Sequence, residues 1–127
     1  MKLFLFMKNH FKQLNEFISN SSIRRSILYG LILAVIIELI CCIMRFGLGL
    51  ESTRDTAFLA GFTLGLRIHH GYIGGLFLGM TFPGKLSRWR NILIIIGLGL
   101  FVSDLIHHFG ILWPVTGRHY FDLFYPS

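Results

Sequence analysis

Phe4, Met7, Phe11, Leu14 and Ile18 recur at three- and four-residue steps near the start of the chain. Lys8, Lys12, Asn15 and Glu16 fall elsewhere around the same helix. This periodicity predicts an amphipathic helix over residues 1–20, lying on the cytoplasmic leaflet with its apolar side in lipid. Three apolar runs follow, at about Ser26–Leu50, Thr56–Phe82 and Asn91–Trp113. Each is long enough to cross a bilayer, which takes about 20 helical residues. Ser21 or Ser22 can cap the first run and Thr53 or Asp55 the second, with Ser87 or Asn91 starting the third. Pro83-Gly84 stops the second run and Pro114 closes the third. The predicted fold class is therefore all-α: a polytopic membrane protein with three transmembrane helices over residues 21–114 and an N-terminal interfacial helix. The aromatic tail, 115–127, is expected along the outer membrane surface.

Composition agrees with this class. Of 127 residues 54% are hydrophobic and only 14% charged, well short of what a soluble surface needs. The chain carries a formal charge of +6. Its basic residues sit at the ends of the apolar runs, so the lipid bilayer and its anionic head groups are the expected partner, not nucleic acid. Lys2, Lys8, Lys12, Arg24 and Arg25 precede the first run, and Lys85, Arg88 and Arg90 lie between the second and third. Positive residues stay inside, which predicts an integral membrane protein of the bacterial inner-membrane type, N-terminus cytoplasmic and C-terminus outside. Cys41 and Cys42 are adjacent on one helix and badly placed to form a disulfide with each other.

What interrupts the apolar runs carries the chemistry. Glu38 falls in the first, Arg67, His69 and His70 in the second, and Asp104, His107 and His108 in the third, with Arg45 two turns beyond Glu38. A charge at mid-bilayer costs at least about 2.5 kcal/mol, so such groups face inward and find partners. Glu38, His69 and Asp104 lie near the midpoints of their runs and so share one level; Arg45, His107 and His108 extend the layer toward the outside. Residues three and four apart share a helical face, which places His107 and His108 beside Asp104 and favours His70 over His69 as the inward group. Gly61/Gly65 and Gly71/Gly75/Gly79 make GxxxG steps for close helix approach, and Gly97 shares the Asp104 face. The Gly71-Tyr-Ile-Gly-Gly run is a place where the second helix could unwind beside the histidines.

His70, Asp104, His107, His108, Glu38 and His69 offer imidazole and carboxylate ligands suited to a divalent Zn, Fe or Mn ion. The Asp104-to-His108 stretch resembles one histidine box of the membrane di-iron desaturases and hydroxylases, families that carry more histidines than this chain. Haem between two imidazoles is a lesser alternative. A third reading needs no cofactor: Glu38, Arg45, Arg67 and Asp104 are two acids and two bases able to pair to neutrality. The functional expectation is a metal-binding layer supporting chemistry in the outer half of the membrane. The alternative is a non-catalytic structural or assembly subunit held together by buried charges. Three helices enclose little, so a homo-oligomer or a partner membrane subunit is expected under either. The sequence contains no HExxH, CxxC pair or phosphate loop.

Overall fold

A computed structural model describes residues 1–125, apart from the side chains of Ser52, Thr53 and Lys85. The predicted Thr53 cap, the Lys85 charge and the last two residues of the tail lie outside the described residues. The fold is all-helical. Helix α1 (Lys2–Ser19) is followed by α2 (Ile23–Cys42), which runs on as a π-helix over Ile43–Gly47. A short α3 (Ser52–Asp55), a 3-10 turn (Ala57–Gly61) and irregular backbone lead into α4 (His70–Gly79). Helix α5 (Arg90–Leu105) continues through a π-helix (Ile106–Leu112) into α6 (Trp113–Thr116).

Two of these helices, Ile23–Gly47 and Leu86–Thr116, are long and apolar enough to cross a membrane, with 25 and 31 residues. Ser22 caps the first by accepting from the Arg25 N–H at 3.3 Å. The second outlasts Pro114, which directly follows the π-helical stretch at the start of α6; Gly117, left-handed at φ 75°, ends it instead.

The expected second spanning helix is not continuous. Only His70–Gly79 is α-helical, 10 residues or about 15 Å at 1.5 Å per residue. Upstream, Leu64 and Gly65 take positive φ, which a helix cannot accommodate. The backbone groups there pair with the tail: Arg67 N–H donates to Leu123 O at 2.8 Å, and Tyr125 N–H to Gly65 O at 2.9 Å. Long-range pairing thus overrides hydropathy, and the break falls before His70, whereas Gly71–Gly75 stays helical. The tail does not run free, because it is folded back over this segment.

Close approach at small residues sets the packing. In α2 the buried Ser26, Gly30, Ala34 and Glu38 repeat every fourth residue and face α5. A Cβ on Gly30 would lie 2.8 Å from Leu98 Cβ, and one on Gly99 2.7 Å from the Leu33 side chain. With Asn91 bonded to Ser21 O and His107 to Glu38, these contacts run in one direction, so α2 and α5 are parallel. Helix α4 packs antiparallel on the other side of α5: Gly71 meets Asp104, Gly74 meets Phe101 and Gly97, and Leu78 meets Gly97. The α4 face is therefore Gly71–Gly74–Leu78, not the predicted Gly71/Gly75/Gly79 register. Gly79 meets nothing within 4 Å, and Gly61 and Gly65 lie outside α-helix.

The molecule is inside-out. Among the described residues the buried apolar side chains are Ala34 and Leu112, while Glu38, Arg67, His69, Asn91, Ser103, Asp104 and His108 are buried polar ones. Leu28, Leu31, Ile32, Val35, Ile36, Leu39 and Ile40 cover the outside of α2.

Candidate metal centre

Asp104 is the focus, 1% exposed on the α5 face toward α4. Gly71 at the start of α4 packs directly against its carboxylate, with no room for a side chain between them. Three imidazoles surround Oδ1: His70 Nδ1 at 3.2 Å, His108 Nε2 at 3.6 Å and His69 Nδ1 at 3.8 Å. His69 Nδ1 and His108 Nε2 are 3.2 Å apart.

The outer partner of each ring decides which nitrogen carries the proton. His69 Nε2 faces the Asp122 carbonyl at 3.2 Å, and His108 Nδ1 faces the His119 carbonyl at 2.6 Å. A carbonyl only accepts, so both of those nitrogens carry hydrogen. Ser103 Oγ donates to Leu100 O at 3.2 Å and so accepts from His70 Nε2, 3.1 Å away. In the neutral rings, the inward nitrogens are then left with lone pairs. Those three lone pairs meet Asp104 Oδ1, a buried oxygen with no hydrogen-bond partner among the described residues. Four acceptors converge without a donor.

A cation satisfies such a set. Tetrahedral ligands at about 2.0 Å from a zinc ion lie roughly 3.3 Å apart, close to the 3.2–3.8 Å seen here. Ligand atoms of His69, Asp104 and His108, all buried, lie within 4.8 Å of one another and form a group able to hold an ion. His70 stands beside them at 31% side-chain exposure. The outer carbonyls and hydroxyl are the partners that orient metal-ligating imidazoles.

Helical facing favours His70 over His69 as the inward group, and both face the centre: His70 Nδ1 is the nearer to Asp104 Oδ1, while His69 is the more buried, at 5%. That preference assumes a continuous helix. His69 is the extended residue preceding α4 (φ −84°, ψ 142°), so helical facing does not apply to it. His107 and His108 part company for the opposite reason. Consecutive helical residues point in well-separated directions, which turns His108 toward Asp104 and His69 and His107 toward α2. There His107 Nδ1 lies 2.9 Å from Glu38 Oε1, with Cys42 Sγ 3.2 Å from the same oxygen. Glu38, Cys42 and His107 make a second group within metal-holding distance. It differs in its protons: a thiol and an imidazole N–H can both donate to Glu38 Oε1, while Oε2 is buried with no hydrogen-bond partner among the described residues. The predicted six ligands thus divide between two places.

The arginines take other partners. Arg45 pairs with Glu51 at 2.8 Å and lies over the Tyr120 ring, 5.2 Å from its centroid. Arg67, 4% exposed, donates to Tyr120 O at 3.0 Å and lies 3.9 Å from Asp122. Asp55 is engaged by Arg54, 2.9 Å away, whose guanidinium holds the carboxyl below its usual range. Sequence reasoning missed the tail. Phe121 stacks on His69 at 4.5 Å, and two main-chain carbonyls fix imidazoles. Carbonyls leave no mark in a sequence; the polar His119 and Asp122 among aromatics were the only hint.

A cavity of about 280 Å³ reaches this centre, lined by His69, His70, Asp104, His108, Arg45 and Arg67 among others. The fold and site together define an all-helical protein with two helices able to cross a membrane and a buried His/Asp group able to hold a metal ion. Comparison with protein families, curated proteins and solved structures finds no match.

Proposed function

We propose that this is an integral membrane protein that holds one divalent Zn, Fe or Mn ion at His69, Asp104 and His108, for chemistry in the outer half of the membrane. The observation that carries the reading is the convergence of three imidazole nitrogens on the buried, unpartnered Asp104 Oδ1, which neutral rings held by their outer acceptors would meet with lone pairs. Three protein ligands leave a coordination position toward the cavity, and His70 is placed to fill it or to take a proton there. An ion so held would act as a Lewis acid and lower the pKa of bound water.

Helices α2 and α5 are two crossings in this reading. Residues 56–82 make the third, with α4 as its regular part and a 3-10 turn and irregular backbone before it. Non-helical backbone at that depth is tolerated where it is covered by protein, and here the tail and the centre cover it. The basic residues before α2 and α5 put the N-terminus in the cytoplasm.

A second reading follows from the Glu38–His107 bond between α2 and α5: a structural subunit whose buried polar groups only hold helices together. Elemental analysis of detergent-purified protein separates the two. About one ion per chain is expected, absent in His69→Ala, His108→Ala and Asp104→Asn, and retained in His107→Gln. A metal-free wild type, with the first three variants losing only thermal stability, would leave the structural reading in place.

A further inference from the structure

The arginines beside the centre have no part in holding an ion, yet two of them line its cavity. One residue organises both. The Tyr120 ring lies under the Arg45 guanidinium at 5.2 Å, and the Tyr120 carbonyl accepts from Arg67 Nη1 at 3.0 Å. Two planar cations on different elements are thereby fixed beside the Asp104 cluster. The acids of the cavity rim are already engaged, Glu51 by Arg45 and Asp55 by Arg54. The Arg45 side chain is 15% exposed and Glu51 44%, so the acid sits outermost. Its carboxylate occupies the place an incoming oxyanion would take.

We propose that the cavity is a seat for a phosphate ester, whose oxygens engage Arg45 and Arg67 and reach the ion at His69, Asp104 and His108, with the Glu51 carboxylate displaced. The inference rests on the metal reading for that last contact. A phosphate suits three separate cationic groups better than a carboxylate, because it offers three oxygens in different directions, whereas a carboxylate is used up by one guanidinium fork. Met44, Leu50, Ile68 and Leu112 give the cavity apolar wall for the organic part of the ester. Its size, about 280 Å³, is near the lower end of small-molecule sites, so the head of an ester fits and a whole lipid does not.

The test is calorimetric binding of phenyl phosphate, and of a short-chain phosphatidic acid, to purified protein whose metal content is measured on the same sample. Binding of one or both is expected; phenyl phosphate alone identifies a soluble ester, and phosphatidic acid alone a lipid head group. Arg45→Gln should weaken binding about tenfold or more, since a charge-assisted hydrogen bond contributes over a factor of ten. Glu51→Gln should tighten it by removing the internal competitor. Both variants should keep the wild-type metal content. Metal-loaded protein that binds neither probe, or variants that bind like wild type, overturns the phosphate seat and leaves the metal reading intact. Metal-free protein that binds a probe through Arg45 upholds the seat and overturns the metal reading. Absence of both metal and binding overturns both.

Discussion

Gly71 and Asp104 illustrate how little room a single residue has. A Cβ at position 71 would come 2.5 Å from Asp104 Oδ2 and 2.9 Å from Asp104 Cβ, so any side chain there pushes the carboxylate aside. Gly71→Ala is expected to cost on the order of 1–3 kcal/mol from overpacking and to abolish metal uptake, read as ions per chain. Gly79→Ala, where no atom lies within 4 Å, should change neither. Equal metal content in the two variants would contradict the account. At this scale the sequence was partly readable. The i, i+4 spacing of Asp104 and His108 put both in the centre, and the cost of burying Glu38 implied a partner. How His69 and His70 share the centre was not readable, because the place of His69 depends on where a helix starts, which is fixed by hydrogen bonds to residues more than 50 positions away.

Elements are joined here through few polar ties, and Asn91 is the plainest. Its Nδ2 donates to Ile18 O at 3.0 Å, Ser19 O at 3.1 Å and Ser21 O at 2.7 Å. Ile18 and Ser19 lie in the last turn of α1 and Ser21 just beyond it, so one amide ties the end of that helix to the start of α5. Removing it in Asn91→Ala should cost about 1–3 kcal/mol locally. Hydrogen exchange at Ile18–Ser22 would speed up while the distant centre keeps its ion; unchanged exchange would show that α1 is held by other means. The hydrophobic pattern located α1, α2 and α5 because each depends on its own residues and their immediate solvent. It missed the break before α4, whose backbone bonds go to the tail and have no local signature. The π-helical stretches over Ile43–Gly47 and Ile106–Leu112 were likewise invisible, since widening a turn by one residue leaves the run of apolar side chains unaltered.

For the whole molecule, the arrangement of buried polar and outward apolar residues reverses that of a water-soluble domain, and the proposed orientation can be checked directly. In a Cys41→Ser/Cys42→Ser background, Arg118→Cys should react with a membrane-impermeant thiol reagent on intact cells. Lys8→Cys should react only after the membrane is opened. Labelling of the position-8 thiol from outside would reverse the assignment. The gathering of imidazole nitrogens on one carboxylate oxygen has a wider consequence. Four electron-rich atoms pressed together repel one another when nothing stands between them, so on the metal reading the ion is also a fastener of α4, α5 and the tail. Starving a cell of that element would then thin out the protein itself, as the loosened, unfilled chains are cleared by proteases, and not merely leave idle copies behind.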